Sequence, residues 1–185
     1  QMSEETAKLL HFQQEQVERL SALVRTLLEM SDLRSVPRTD RIDLAPMVEE
    51  VLVDLTPLAQ KNGITLTQAG ENVQFIGSDV FNLTENAIKY NRTGGSVEVS
   101  VEREGGQAAI RVRDTGPGIA EEYRDSIFQP FFRVDKSRSR AMGGVGLGLA
   151  LVQEIVRLHG GTVRVEQSAD TGTTILVTLP VGKAA

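Results

Sequence analysis

An α+β fold is predicted for this chain: a two-layer α/β sandwich, with a mixed sheet covered on one face by three helices, preceded by a long bundle-type helix. Three observations predict it. Residues 3–33 contain neither proline nor glycine and place apolar side chains at helical spacing. The remainder alternates between helical patterns and short runs with a two-residue period. Glycine steps at Asn62-Gly63, Gly105-Gly106 and Gly160-Gly161 separate those runs.

In the leading helix, Leu10, Val17, Leu20, Val24 and Leu27 follow a three-four spacing, with Gln13 and Ser31 in the remaining seam positions. Leu9, Leu23, Leu28 and Met30 widen the stripe. A lone helix cannot bury such a stripe, so it needs partners: its own domain, or other helices at a dimer interface. Residues 36–40, with Pro37, read as a linker. Residues 41–182 then form one domain. A strand at 41–44 precedes a helix at 45–61, closed by Asn62-Gly63. Strands at 64–67 and 73–76 lead to a second helix at 78–90. Residues 96–102 and 108–113 alternate as a hairpin around Gly105-Gly106. A glycine-containing turn, a short helix and a polar loop follow. A third helix at 146–159 stops at Gly160-Gly161, and strands at 162–166 and 173–179 close the domain as a second hairpin.

The composition narrows the function. The 185 residues carry 20 Lys+Arg against 25 Asp+Glu, a formal charge of −5. This acidic balance argues against a general nucleic-acid binder. With no cysteine there is no disulfide, thiolate metal site or cysteine nucleophile. No apolar run approaches the roughly 20 residues needed to span a bilayer. No signal peptide opens the sequence. A membrane anchor is therefore expected only in a region outside it.

Four constellations carry chemistry. Asn82, Asn86 and Lys89 share one face of the second helix. Carboxamide oxygens suit Mg²⁺ and a lysine suits phosphate, although a solvated helix face would also explain them. Asp114-Thr115-Gly116-Pro117-Gly118-Ile119 directly follows a strand. Its glycines permit close approach of a ligand, and its aspartate can accept from an exocyclic amine such as adenine's; an ordinary strand-ending turn is the plainer reading. Gly143-Gly144-Val145-Gly146-Leu147-Gly148 runs into a helix, where backbone amides make an anion site. It is neither a Walker loop nor a dinucleotide fingerprint. Helix packing would explain one or two of these glycines but not four. Between these motifs lies Ile127-Phe128-Gln129-Pro130-Phe131-Phe132-Arg133, holding half of the six phenylalanines. A basic loop follows: Arg133, Lys136, Arg138 and Arg140 against Asp135.

In this order the four motifs resemble the ATP-binding domain of sensor histidine kinases, in the superfamily shared with gyrase, Hsp90 and MutL. The resemblance runs from Arg41 to Leu179, and the leading helix, residues 1–35, resembles part of that family's dimerisation and phosphotransfer hairpin. It implies ATP and Mg²⁺ as ligands. Asn86 would chelate the metal, supported by Asn82; Lys89 would contact phosphate; Tyr90 would border the adenine. Asp114 would read the adenine amine, with Gly116, Gly118 and Ile119 around the base and Thr173 near the same network. Gly144, Gly146, Leu147 and Gly148 would form the phosphate end of a mobile lid, and Arg133 would lie near the γ-phosphate or the partner helix. The resemblance further implies self-association through the first helix, a response-regulator receiver domain as partner, and a cytoplasmic domain of a membrane-anchored receptor.

Hydrolysing members of the superfamily carry a glutamate where Asn82 stands, and asparagine cannot take a proton at neutral pH. Transfer to a protein acceptor is therefore expected, in preference to ATP hydrolysis or a degenerate nucleotide-gated module. Glu85 is one residue out of place, about 100° around the helix. No acceptor histidine matches the family's pattern. His11 and His159 read as structural, so the acceptor is expected outside this sequence. The family also has roughly seven more residues between Asp79 and Asn82, close to two helical turns, which puts the support of the nucleotide pocket in question.

Overall fold

The computed structural model describes residues 42–71, 74–75, 80–134 and 146–181, together with Thr6, Gln13, Val17, Ser21 and Val24, which are helical. Most of the expected leading helix and the linker lie outside the described residues. Within the domain, β1 (Ile42–Asp43) enters α1 (Leu44–Asn62), followed by β2 (Thr65–Gly70) and β3 (Gln74–Phe75). Next come α2 (Phe81–Lys89), β4 (Ser96–Glu104) and β5 (Gln107–Asp114), then α3 (Gly148–Leu158), β6 (Thr162–Ala169) and β7 (Gly172–Pro180).

β2, β4, β5, β7 and β6 lie side by side in one mixed sheet, while β1 and β3 form a separate antiparallel pair. Only β2 and β4 run parallel. The expected mixed sheet with three helices is thus present, with the short helix after β5 resolved into two 3₁₀ turns, Glu121–Tyr123 and Ser126–Phe128. Gly105 and Gly106, at φ 52° and 81°, form the two-residue turn between β4 and β5 that right-twisted strands favour.

Strand alternation decides which face is covered. Val97, Val99 and Val101 of β4, Ile110 and Val112 of β5, and Ile175, Val177 and Leu179 of β7 are buried on one face. They pack in one cluster with Leu44, Val48, Leu55 and Ala59 of α1, Leu83 and Ile88 of α2, and Val152 and Val156 of α3. Thr84 is also fully buried; its hydroxyl donates to the Val80 carbonyl at 2.9 Å, one turn back, so burial leaves no orphaned donor.

The opposite face is ionic. Arg111 meets Glu166 at 2.8 Å, Glu104 at 2.8 Å and Glu102 at 3.1 Å, fastening β4, β5 and β6 across their solvent side. The Arg111 guanidinium holds the Glu166 carboxyl below the usual carboxylate range. No helix among the described residues is long and apolar enough to cross a membrane.

Leu83 is 1% exposed and Val53 65% exposed. Leu83→Ala should lower unfolding free energy by about 2–5 kcal/mol, from lost transfer energy plus the cavity left behind. Val53→Ala should stay within about 0.5 kcal/mol. Urea midpoints of the two variants check this contrast.

Candidate functional site: a polar cleft between α2, α3 and the β5 turn

The sheet positions α2 and α3 side by side, and the first two motifs to meet are carried by them. Asn82 and Asn86 lie one turn apart on α2, both half-buried. They point at the start of α3: a Cβ built on Gly148 would lie 3.4 Å from Nδ2 of Asn86 and 3.6 Å from Oδ1 of Asn82. Both are ordinary van der Waals distances, so the two carboxamides border this glycine directly. Leu147, 4% exposed, anchors the turn from the core side. The first amides of α3 have no partner within the helix, so a polar pair and a partial positive charge share one space. The Asn86 carboxamide makes no hydrogen bond among the described residues, which leaves its oxygen available to a ligand. No group of three or more His, Cys, Asp or Glu suited to a metal occurs among the described residues. A Mg²⁺ ion would thus rest on an amide oxygen, phosphate oxygens and water, a donor set this ion accepts.

Lys89 lies three residues, about five sixths of a turn, beyond Asn86 but is already partnered. Its Nζ is paired with Oε1 of Glu85 at 2.8 Å. Tyr90 caps the helix and is 44% exposed.

The second motif begins where β5 ends. The Oδ1 of Asp114 accepts from the Gly116 N–H at 2.8 Å and from the Thr173 N–H at 3.2 Å. Its Oδ2 receives no protein donor among the described residues. Burial pushes the Asp114 carboxyl above its ordinary value; the N–H groups of Gly116 and Thr173 and the charge of Arg92 oppose that push. Gly116 lies against the end of α2, where a Cβ would come 3.1 Å from the Tyr90 carbonyl oxygen. Gly118, at φ 80°, backs onto the Ala169 carbonyl, so any side chain there would collide with backbone. Ile119 donates its N–H to Oγ of Ser168 at 2.7 Å, and Ser168 pairs its hydroxyl with that of Thr173 at 2.9 Å. Thr173 is buried, 5% exposed, within this network.

The third and fourth motifs meet at the other end of the cleft. The Phe131 N–H donates to the Gly146 carbonyl at 2.8 Å, and a Cβ on Gly146 would come 3.0 Å from the Phe132 carbonyl oxygen. Phe131 holds a left-handed φ of 66° with its ring 56% exposed, while Phe132 packs its ring 5.9 Å from that of Tyr123. Arg133 follows, and its Nε and Nη2 atoms are buried with no hydrogen-bond partner among the described residues. Gly144 and the loop through 135–145 lie outside the described residues.

The described parts of the four motifs therefore touch one another in turn and make one site. Three residues that the sequence reading did not single out also build it: Arg92, Ser168 and Arg124, whose guanidinium donates to the Ser168 carbonyl at 2.8 Å. Of the histidines, His159 bonds through Nδ1 to the Ile155 carbonyl at 2.8 Å at the end of α3, a structural use. His11 lies outside the described residues.

Known proteins give this geometry a family. Residues 71–183 match the family described as histidine kinase-, DNA gyrase B-, and HSP90-like ATPase. The sensor-like histidine kinase SenX3 of Mycolicibacterium smegmatis is 35% identical over 172 residues, an alignment covering 88% of this chain and 45% of that protein. The mycobacterial sensor histidine kinase MprB superposes at a TM-score of 0.66 and 29% identity, over 77% of this chain and 97% of that one. Full-length ShkA in complex with AMPPNP superposes at 0.74, over 100% of this chain and 41% of that one; at 24% identity the likeness concerns the fold. The chain spans under half the length of the curated relatives it matches. It belongs to the histidine kinase-, DNA gyrase B- and HSP90-like ATPase family and carries the ATP-binding catalytic domain of sensor histidine kinases.

Proposed function

We propose that this domain binds Mg²⁺ and ATP in the cleft between α2, α3 and the β5 turn, and delivers the γ-phosphoryl group to a histidine supplied outside this sequence. The observation that carries the reading is the meeting of the Asn82 and Asn86 carboxamides with the start of α3 at Gly148. An uncharged carboxamide pair beside helical amides, Nδ2 of Asn86 and Oδ1 of Asn82 nearest to Gly148, suits a metal–triphosphate in a half-buried space. When bound, Mg²⁺ would supply charge neutralisation on the phosphates. Asn86 would hold it, with Asn82 beside it. Asp114 would accept from the adenine amine through its unengaged oxygen. Gly116, Gly118 and Ile119 would wall the base, and Gly144, Gly146 and Gly148 would give backbone access to phosphate. Arg133 would offer its unpartnered nitrogens to the terminal phosphate.

Transfer is favoured over hydrolysis on the chemistry present. Asn82 cannot serve as a base, and the neighbouring Glu85 carboxylate is already engaged with Lys89. Catalysis then rests on positioning and charge stabilisation. The phosphorylated histidine would pass its group to a response-regulator receiver domain. Val17 and Val24, seven residues apart on the leading helix, are 63% and 49% exposed, which supports self-association through that helix. As part of a sensor, the domain would act on the cytoplasmic side of a membrane-anchored receptor.

Mixing the chain with γ-labelled ATP and a separate acceptor hairpin should move label to histidine faster than free phosphate appears; steady phosphate release without transfer would favour hydrolysis. Asn86→Ala should remove most of the Mg²⁺ dependence of nucleotide affinity, about tenfold or more, while leaving metal-free binding unchanged in titration calorimetry.

Asp114→Asn separates binding from stability. Asparagine keeps an oxygen for the Gly116 and Thr173 N–H groups but opposes the adenine amine with a donor. ATP affinity should fall at least tenfold, the order expected for losing a charge-assisted bond of about 1.5–3 kcal/mol. Because burial raises the Asp114 carboxyl, the native state holds the proton longer than the unfolded chain. Stability therefore falls as pH rises through that window, and the penalty is full above it. The variant should melt at or above the wild-type temperature at pH 7, with the advantage vanishing in acid.

Arg133→Met should weaken ATP more than ADP and should not lower the melting temperature, since it removes two buried donors that lack hydrogen-bond partners among the described residues. Equal loss for both nucleotides, measured by competition, would place Arg133 away from the terminal phosphate.

A further inference from the structure

Arg92 lies in the turn after α2, outside every motif. Its own turn is unusually well fastened. Asn91 donates from Nδ2 to the Ser96 carbonyl at 3.0 Å and accepts the Arg92 N–H at 2.9 Å. The Thr115 hydroxyl donates to Asn91 Oδ1 at 3.3 Å, and its oxygen accepts the Ser96 N–H at 2.8 Å. Arg92 thus extends from a rigid base. Its Nη2 donates to the Gly116 carbonyl at 2.7 Å and to the Asp170 carbonyl in the β6–β7 turn.

These two bonds join three segments distant in sequence. Gly116 is left with both backbone polar groups engaged, its N–H on Asp114 and its carbonyl on Arg92. Pro117 follows it and narrows its conformations further. The β6–β7 turn is drawn to the same point, and that turn begins β7, whose Thr173 N–H is the second donor to Asp114. Both donors on Oδ1 are consequently set by segments that Arg92 holds together, and the other oxygen is the one left for a ligand.

We propose that Arg92 is a positioning residue for base recognition: by bridging the Gly116 and Asp170 carbonyls, it fixes the orientation of the Asp114 carboxylate and so sets the preference for adenine. This rests on the nucleotide reading of the cleft. A residue that merely fastened the turn would, when lost, weaken every nucleotide alike. A residue that orients Asp114 affects the base selectively, because phosphate contacts come from the other end of the cleft.

The test is the ratio of GTP to ATP dissociation constants with Mg²⁺, for the intact chain and two variants. Arg92→Met keeps the aliphatic stem and removes the donors; ATP affinity should fall about three- to tenfold, with GTP changing less than twofold. Arg92→Lys keeps a cation but not the planar fork and should lose about twofold of the preference. Should Arg92→Met lose its melting transition, Arg92→Lys carries the same comparison. An equal loss for both nucleotides, or an unchanged ratio in the folded variants, overturns the role of Arg92 while leaving the site assignment standing. A wild-type chain that binds neither nucleotide, or shows no preference for ATP, overturns the site assignment and this inference with it.

Discussion

The start of β7 lies against the end of β5 more closely than any side chain would permit. A Cβ on Gly172 would overlap the Asp114 carbonyl, and one on Gly118 would overlap the Ala169 carbonyl. This backbone-on-backbone contact is the constraint from which the site follows. It brings the Thr173 N–H to the Asp114 carboxylate, brings Ser168 to the Ile119 N–H, and puts Asp170 within reach of Arg92. This wall of the site is therefore made from two turns pressed together, each held by groups of the other. Neither turn has regular structure that would hold it alone.

The same arrangement carries an energetic conflict. A carboxylate withdrawn from water is disfavoured, and two N–H groups with one nearby guanidinium only partly offset this. The fold tolerates it because the sheet behind is firmly built, with valines of β4 near zero exposure on one face and the Arg111 network on the other. Stability generated in the sheet supports strain and unmet charge at its edge, where Phe131 keeps a left-handed φ and Arg133 buries nitrogens without partners.

The sheet, the helices and the motif residues were legible in the sequence because each has a local signature: alternation in β4, the four-residue step from Asn82 to Asn86, and glycines where backbone must come close. Arg92 and Ser168 were not legible. An arginine in a turn and a serine in a strand carry no pattern, and their function arises only when chain segments 24 and 49 residues apart are brought into contact. The Glu85–Lys89 pair is the reverse case. Its four-residue spacing advertises an ion pair, yet motif reasoning assigned the lysine to phosphate. The expected shortfall between Asp79 and Asn82 falls partly outside the described residues; α2 itself is nine residues long, with Asn82 in its first turn.

Magnitudes decide whether that ion pair and a phosphate role for Lys89 conflict. Both partners keep about a quarter of their side-chain surface in solvent, 27% and 29%. An exposed pair of this kind is worth about 0–1 kcal/mol. A triphosphate presents several charges, and one charge-assisted bond to it is worth about 1.5–3 kcal/mol. A nucleotide in the cleft can therefore draw Lys89 away from Glu85 at small cost. Glu85, released, stands one residue before Asn86, about 100° from it around α2, and lies about 60° off the direction of Asn82. On the proposed reading, the exchange would supply a cation to the phosphates while Asn82, which cannot take a proton at neutral pH, supplies no base to water.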